Sequence, residues 1–202
     1  MRRKEFECND FDLLKRHLDE IPFGTMVIAD FPIPYALPLS FCFLPSYFQK
    51  GALGIHGAFA GRKFTLLKDT PKVTFSIAKP YSYIGSEFLD GTMIPTQFFF
   101  SVLITGRFYA VNDASKKCEI LSALVKKYEP QSQNFSFEKK AFAGRENGVF
   151  VGVVEIEDLS IKAKFGQNLK DDDFKSIMQD LEARANEIDR QTLALMKYFR
   201  KV

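Results

Sequence analysis

The longest uninterrupted β-prone run in this 202-residue chain, Gln97–Ala110, most constrains the folds open to it. It is dense in Phe, Val, Ile, Thr and Tyr, residues that suit a pleated, half-buried surface. Gly106 inside it marks a bulge or a close approach of backbone. Further β-prone runs cover Thr25–Asp30, Tyr35–Phe43, Ala52–His56, Lys72–Ala78, Val149–Ile156 and Leu159–Phe165. These runs follow one another at hairpin-like spacing, with turn residues between them, rather than alternating with helices. The pattern predicts a mainly β fold: an antiparallel barrel with peripheral helices.

Helical periodicity appears in few places. Asn9 or Asp10 can cap a first helix carrying Phe11, Leu14, Leu18 and Ile21, which Pro22 and Gly24 end. His17 falls off that stripe and reads as a surface residue. Asp113-Ala-Ser115 opens a second helix that runs to Tyr128-Glu-Pro130. From Asp171, the residues Phe174, Ile177, Met178, Leu181, Ala185, Ile188, Leu195 and Phe199 form one apolar stripe. They predict a C-terminal helix over about 171–200, packed on its own barrel or partly on a partner subunit. The segment 79–95 reads as a long loop. The whole of 1–202 reads as one domain with its core at about 20–165.

Charge and cysteine usage narrow the partners. The net charge of +3 is not concentrated in any segment, which argues against nucleic acid and suits one anionic cofactor. Cys8, Cys42 and Cys118 are widely spaced, as expected of reduced thiols in a cytoplasmic protein. With only two histidines and no clustered thiols, no metal site is expected. No run approaches about 18 apolar residues, so no membrane span is expected. The charged start lacks the apolar core of a signal peptide.

The chemistry gathers in Leu53–Asp69. A short strand ends at His56, a Gly/Ala-rich turn follows, and a helix is expected over Gly61–Thr70, with Arg62 and Lys63 in its first turn. Two cations beside a positive helix end are unfavourable unless an anion sits there. Arg62 offers a planar fork for phosphate oxygens and Lys63 a compact charge. The same tripeptide also suits an exposed helix start. Earlier in the chain, Pro38 makes Tyr35–Phe43 an edge strand, an interrupted ladder or a bulge. An interrupted ladder leaves backbone groups for a flat heteroaromatic ring.

Four blocks then carry a family resemblance. They are Met1-Arg-Arg-Lys-Glu5, Pro34-Tyr-Ala-Leu-Pro-Leu-Ser-Phe41, Ile55-His-Gly-Ala-Phe-Ala-Gly-Arg-Lys63 with Lys68-Asp-Thr-Pro-Lys-Val73, and Ser101-Val-Leu-Ile-Thr-Gly-Arg107. In that order they resemble the pyridoxamine-5′-phosphate-oxidase-like FMN-binding split barrels, most closely the 5-nitroimidazole-resistance (Nim) branch. The resemblance implies an antiparallel FMN-binding split β-barrel with flanking helices, working as a homodimer with FMN at the interface. It places Arg62 and Lys63 on the FMN phosphate, and the Leu37, Pro38, Leu39 and Ser40 backbone along the isoalloxazine edge. Ser101 falls near the ring. Ile55, Gly57 and Gly61 belong to the same cofactor-binding strand–turn–helix.

The resemblance also puts His56 beside the flavin as the catalytic candidate, or as a residue that only shapes the pocket. The implied activity is electron transfer from NAD(P)H to a small acceptor. The alternative is a non-enzymatic flavin- or haem-binding protein with His56 as axial ligand. Ser40 stands where the branch often has Asn. The substrate residues of the pyridoxamine-phosphate oxidases are not recognisable, which argues against vitamin B6 oxidation. Lys164-Phe-Gly-Gln-Asn168 is similar to a KLSQN stretch of related flavin-binding regulators.

Overall fold

The computed structural model describes residues 3–132 and 144–201. Met1 and Arg2, which open the first family-like block, lie outside the described residues. Seven strands are present among them: β1 (Phe23–Ile28), β2 (Tyr35–Ser40), β3 (Cys42–Leu44), β4 (Ala52–Gly57), β5 (Lys72–Ile84), β6 (Thr96–Ala110) and β7 (Phe150–Lys164). The helices are α1 (Phe11–Glu20), α2 (Arg62–Leu67), α3 (Phe88–Gly91), α4 (Ala114–Tyr128), α5 (Asp171–Arg184) and α6 (Glu187–Arg200).

The described residues cluster into two compact units. The larger comprises Asp10–Ile77 and Leu103–Leu159; the smaller takes the described parts of Met1–Asn9, Ala78–Val102 and Ser160–Val202.

In the larger unit the strands are hydrogen-bonded in the order β2-β1-β5-β6-β7-β4-β3, with antiparallel pairing of β1 to β2 and β5, and of β4 to β3 and β7. This is the mainly antiparallel fold that the strand spacing predicts, and it agrees with the split barrel that the resemblance implies. Hairpin spacing explains it: β3 and β4 are joined through a turn at Gly51, whose φ of 85° is costly for a residue with a Cβ. Gly106 is a close-approach point, because a Cβ there would lie 1.7 Å from the Glu155 carbonyl oxygen on β7.

The core of this unit packs α4 onto the strands through Cys42, Leu44, Ile120, Leu121, Leu124, Val151 and Val153. Asp113 caps α4, its carboxylate accepting from the Lys116 N–H at 2.8 Å. Cys8, Cys42 and Cys118 are all buried.

Several expectations are corrected. His17 is not on the surface; it is 2% exposed, and its Nδ1 lies 2.8 Å from the Leu13 carbonyl oxygen. Leu13 and His17 are one turn apart, so the buried face of α1 is wide enough to include both. Helix α1 starts after Asp10, whose carboxylate accepts from the Leu13 N–H at 2.7 Å. The expected helix over Gly61–Thr70 is only the six residues of α2. The expected loop 79–95 is shorter, because β5 continues to Ile84. The two expected strands at 149–165 are one continuous strand, β7.

The smaller unit holds the far ends of β5, β6 and β7 with α3, α5 and α6. Its core is aromatic: Phe165 stacks on Phe199 at 5.6 Å and meets Tyr81 edge-on at 5.0 Å. The expected single C-terminal helix is two helices. Ala185 takes a left-handed φ of 53°, and Asn186 then caps α6 in a reciprocal box with Asp189. A buried network ties this hairpin to β5. Asp189, 0% exposed, accepts from two of the Arg184 nitrogens (2.9 and 2.6 Å) and from the Ser82 hydroxyl (2.5 Å).

Among the described residues, no helix is long and apolar enough to cross a membrane. No group of three or more His, Cys, Asp or Glu among them is placed to hold a metal ion.

Candidate functional site

Most of the residues singled out in the sequence lie in the larger unit, on β2, β4 and the start of α2. Strand β4 runs beside β7, with Ile55 opposite Gly152, His56 opposite Val151 and Gly57 opposite Phe150. Strand β4 is buried on both faces from Ala52 to Ile55, and His56, at the end of the strand, is the first exposed residue. Gly61 ends the following turn with φ 87° and ψ 174°, a conformation essentially reserved for glycine, and delivers Arg62 and Lys63 as the first residues of α2.

The two cations are held differently. Arg62 reaches the β1–β2 connection: its Nε and one terminal nitrogen lie 2.8 and 2.5 Å from the same Asp30 carboxylate oxygen. Its guanidinium sits 5.3 Å from the centre of the Tyr35 ring. A guanidinium has further N–H groups, so this pairing leaves donors for a second acceptor. Lys63 folds back over Gly57, where a Cβ would lie 2.1 Å from its Nζ. Its ammonium donates to the His56 carbonyl oxygen at 3.3 Å and has no carboxylate partner among the described residues. Burial lowers its pKa from the usual lysine value.

His56 is coupled to it. Although part of the side chain is exposed, desolvation of the rest first, and the Lys63 cation second, lower the imidazole pKa below its ordinary 6.5, which favours the neutral ring at pH 7. Among the described residues the ring has no hydrogen-bond partner, which leaves one nitrogen lone pair available. The Gly/Ala-rich turn between His56 and Arg62 is braced by aromatic rings. Phe59 meets Phe64 at 5.8 Å and Phe150 at 5.9 Å, all edge-on.

Strand β2 is an edge of the sheet, as Pro38 suggested. Leu39 is buried, Leu37 and Ser40 are half-buried, and Pro38 is exposed opposite Thr25. The ladder breaks at Phe41, between β2 and β3, where the Tyr128 hydroxyl accepts from the Phe41 N–H at 3.1 Å. Ser101, half-buried on β6, belongs to the smaller unit.

Sequence reasoning missed Asp30, Tyr35 and the Phe59–Phe64–Phe150 rings. Asp30 lies 32 positions from Arg62, so no local periodicity connects them. The one signal was a lone carboxylate just past a strand end in a chain whose candidate cations follow another strand.

Residues 1–158 match the family model described as "Putative FMN-binding domain". A curated relative, the protease synthase and sporulation protein PAI 2 of Bacillus subtilis (strain 168), is 22% identical over 200 residues, covering 96% of this chain and 95% of its own. Among solved structures, the flavocytochrome Anf3 from Azotobacter vinelandii superposes with a TM-score of 0.64 at 20% identity, covering 84% of this chain and 74% of that one. A protein titled "putative 5-nitroimidazole antibiotic resistance protein" from Bacteroides thetaiotaomicron VPI-5482 superposes with a TM-score of 0.59 at 16% identity, covering 77% and 85%. The split-barrel resemblance, including that to the nitroimidazole-resistance proteins, is borne out.

Proposed function

The chain belongs to the FMN-binding domain family, and from that premise we propose that it is an FMN-dependent oxidoreductase passing electrons from a nicotinamide donor to a small acceptor. The observation that carries the placement of the cofactor is Lys63: a partly desolvated ammonium, beside a second cation, whose one acceptor is a neutral carbonyl. A desolvated cation in that state favours an incoming anion. Arg62 adds a planar fork already oriented by Asp30 and Tyr35. These residues fit a phosphomonoester, so Arg62 and Lys63 would hold the FMN phosphate.

FMN when bound supplies the redox chemistry; the protein supplies binding, orientation and electrostatics. The β2 edge, Leu37–Ser40, offers backbone groups to the ring, with Pro38 contributing only a carbonyl. Ile55 and Gly57 set the course of β4, and Gly61 sets the angle at which the cations enter. His56, neutral at pH 7, accepts a proton or a hydrogen bond from a ligand rather than donating a charge. The reading includes a homodimer with the cofactor between subunits and Ser101 near the ring.

The test is a flavin titration of the purified protein and of Arg62→Ala/Lys63→Ala, followed by NAD(P)H oxidation. Retention of FMN at unchanged affinity in the double variant would remove the site assignment.

A second reading, a flavin- or haem-binding protein without turnover, is favoured by one observation: the exposed His56 ring, with an open lone pair at pH 7, is suited to a haem iron. The similar structure named a flavocytochrome is in keeping with it. An absorption spectrum separates the two, because flavin bands support the first reading and a Soret band the second.

A further inference from the structure

The smaller unit contains a cavity of about 470 Å³ that the cofactor reading does not use. Three cations line it: Arg3, Lys162 and Lys164. No Asp or Glu lines it, although Arg3 pairs with Glu5 at 3.4 Å from outside the lining. Lys164 donates to the Thr96 hydroxyl, and the Lys162 ammonium stands over two rings, 5.9 Å from the centre of Phe6 and 5.3 Å from that of Phe99. The remaining wall is largely apolar, including Met93, Phe98 and Ile94, which is 83% exposed. A volume of this size lies in the range of small-molecule sites, about 300–1,000 Å³.

Like charges facing a shared, partly apolar space repel, and the repulsion is relieved when an anion enters. In keeping with this, the Lys164 ammonium is held below the usual lysine pKa, mainly by burial and then by Lys162 and Arg3.

The Lys164-Phe-Gly-Gln-Asn168 stretch explains how the cavity is built. Lys164 ends β7 facing the cavity, and Phe165 turns into the aromatic core. Gly166, with φ 83°, reverses the chain. Gln167 ties the reversal back: its Oε1 accepts from the Phe165 N–H at 2.7 Å, and its Nε2 donates to the Ala163 carbonyl at 2.8 Å. Asn168 and Leu169 are thereby brought to the cavity wall, next to the lysine that begins the motif. A segment whose positions either face a cavity or brace the turn around it reads as a binding-site wall.

We propose that this cavity is a second ligand site, distinct from the Arg62/Lys63 site, which takes a small molecule with an aromatic body and a terminal anion, either phosphate or carboxylate. Arg3, Lys162 and Lys164 hold the anion; Phe6, Phe98 and Phe99 contact the ring.

The protein as purified is titrated by calorimetry with phenyl phosphate, benzoate and the neutral benzyl alcohol. Expected is at least tenfold tighter binding of phenyl phosphate or benzoate than of benzyl alcohol, the tighter anion identifying the head group. Lys162→Gln/Lys164→Gln should erase that preference while FMN affinity stays within twofold. The single Lys162→Gln variant should weaken anion binding several-fold, which keeps the test alive if the double variant does not fold.

Equal affinity for benzyl alcohol overturns the proposal. So does an anion preference that survives both variants, or one that is lost in Arg62→Ala/Lys63→Ala instead. Release of FMN by the Lys162/Lys164 variant also overturns it, because the cavity would then be the cofactor's own. Failure of the FMN assignment shows in the flavin titration and leaves these ratios untouched.

Discussion

The Lys63 ammonium donates to the main-chain carbonyl of His56 at 3.3 Å, so the end of β4 and the start of α2 are tied together at the two residues on which the proposed chemistry depends. The contact makes the cation's charge part of the imidazole's environment.

Cofactor retention should depend more on Lys63 than on Arg62. Charge-assisted hydrogen bonds are worth roughly 1.5–3 kcal/mol each. Lys63→Ala should therefore weaken FMN binding by roughly 10- to 100-fold. Arg62 keeps an Asp30 partner and a 59% exposed side chain, so Arg62→Ala should cost less. Fluorescence titration of FMN into each variant checks the order.

His56 should titrate below its ordinary 6.5, and Lys63→Met should move the midpoint upward by removing the second of its two causes. A depressed imidazole pKa means that the unfolded chain binds the proton more readily. His56 therefore subtracts stability as pH falls through 6.5, and His56→Gln should flatten that part of the pH–stability curve. NMR of the imidazole C–H signals and denaturant melts at pH 5 and 8 measure the two effects.

Gly61→Ala should damage the site without any clash, since nothing lies within 4 Å of the added Cβ. The penalty is in the backbone, of order 1–3 kcal/mol at φ 87° and ψ 174°. Relief by shifting the start of α2 would move both cations. FMN affinity should fall more than the melting temperature suggests, which paired thermal and flavin titrations would reveal.

Asp189→Ala should be among the most destabilising single changes. It strips Arg184 and the Ser82 hydroxyl of a fully buried acceptor, at a cost of about 3 kcal/mol. Arg184 and, against the opposing effect of burial, the Ser82 hydroxyl hold the Asp189 carboxyl below the usual aspartate value. Its stabilisation is therefore present above the ordinary pKa and is lost as pH falls through the depressed one. Acid unfolding of the wild type and of Asp189→Asn, followed by circular dichroism, tests this.

Much of the fold was legible because it rests on local pattern. The β-prone run at 97–110 is β6 almost to the residue, and Asp113 caps α4 as its side chain suggests. The cation pair after Gly61 was likewise visible as a motif. Long-range chemistry was not legible. His17 is polar and yet buried because its ring bonds within its own helix, which a hydrophobic stripe does not register. The break at Ala185 interrupts a good apolar period, and only Asn186 with Asp189 three positions on announced a new helix start. The partner of Arg62 needed the tertiary structure, because Asp30 and Arg62 meet only after β1, β2 and β4 are assembled.

The polypeptide passes between the two compact units four times, at 9/10, 77/78, 102/103 and 159/160, and the last three passages fall within β5, β6 and β7. No single end-trimming can therefore liberate either half. Shortening the gene from its 3′ end at residue 159 would remove α5, α6 and the end of β7, and leave that part of β6 without its β7 neighbour. Each half of such a chain is therefore written in segments that lie far apart along the sequence.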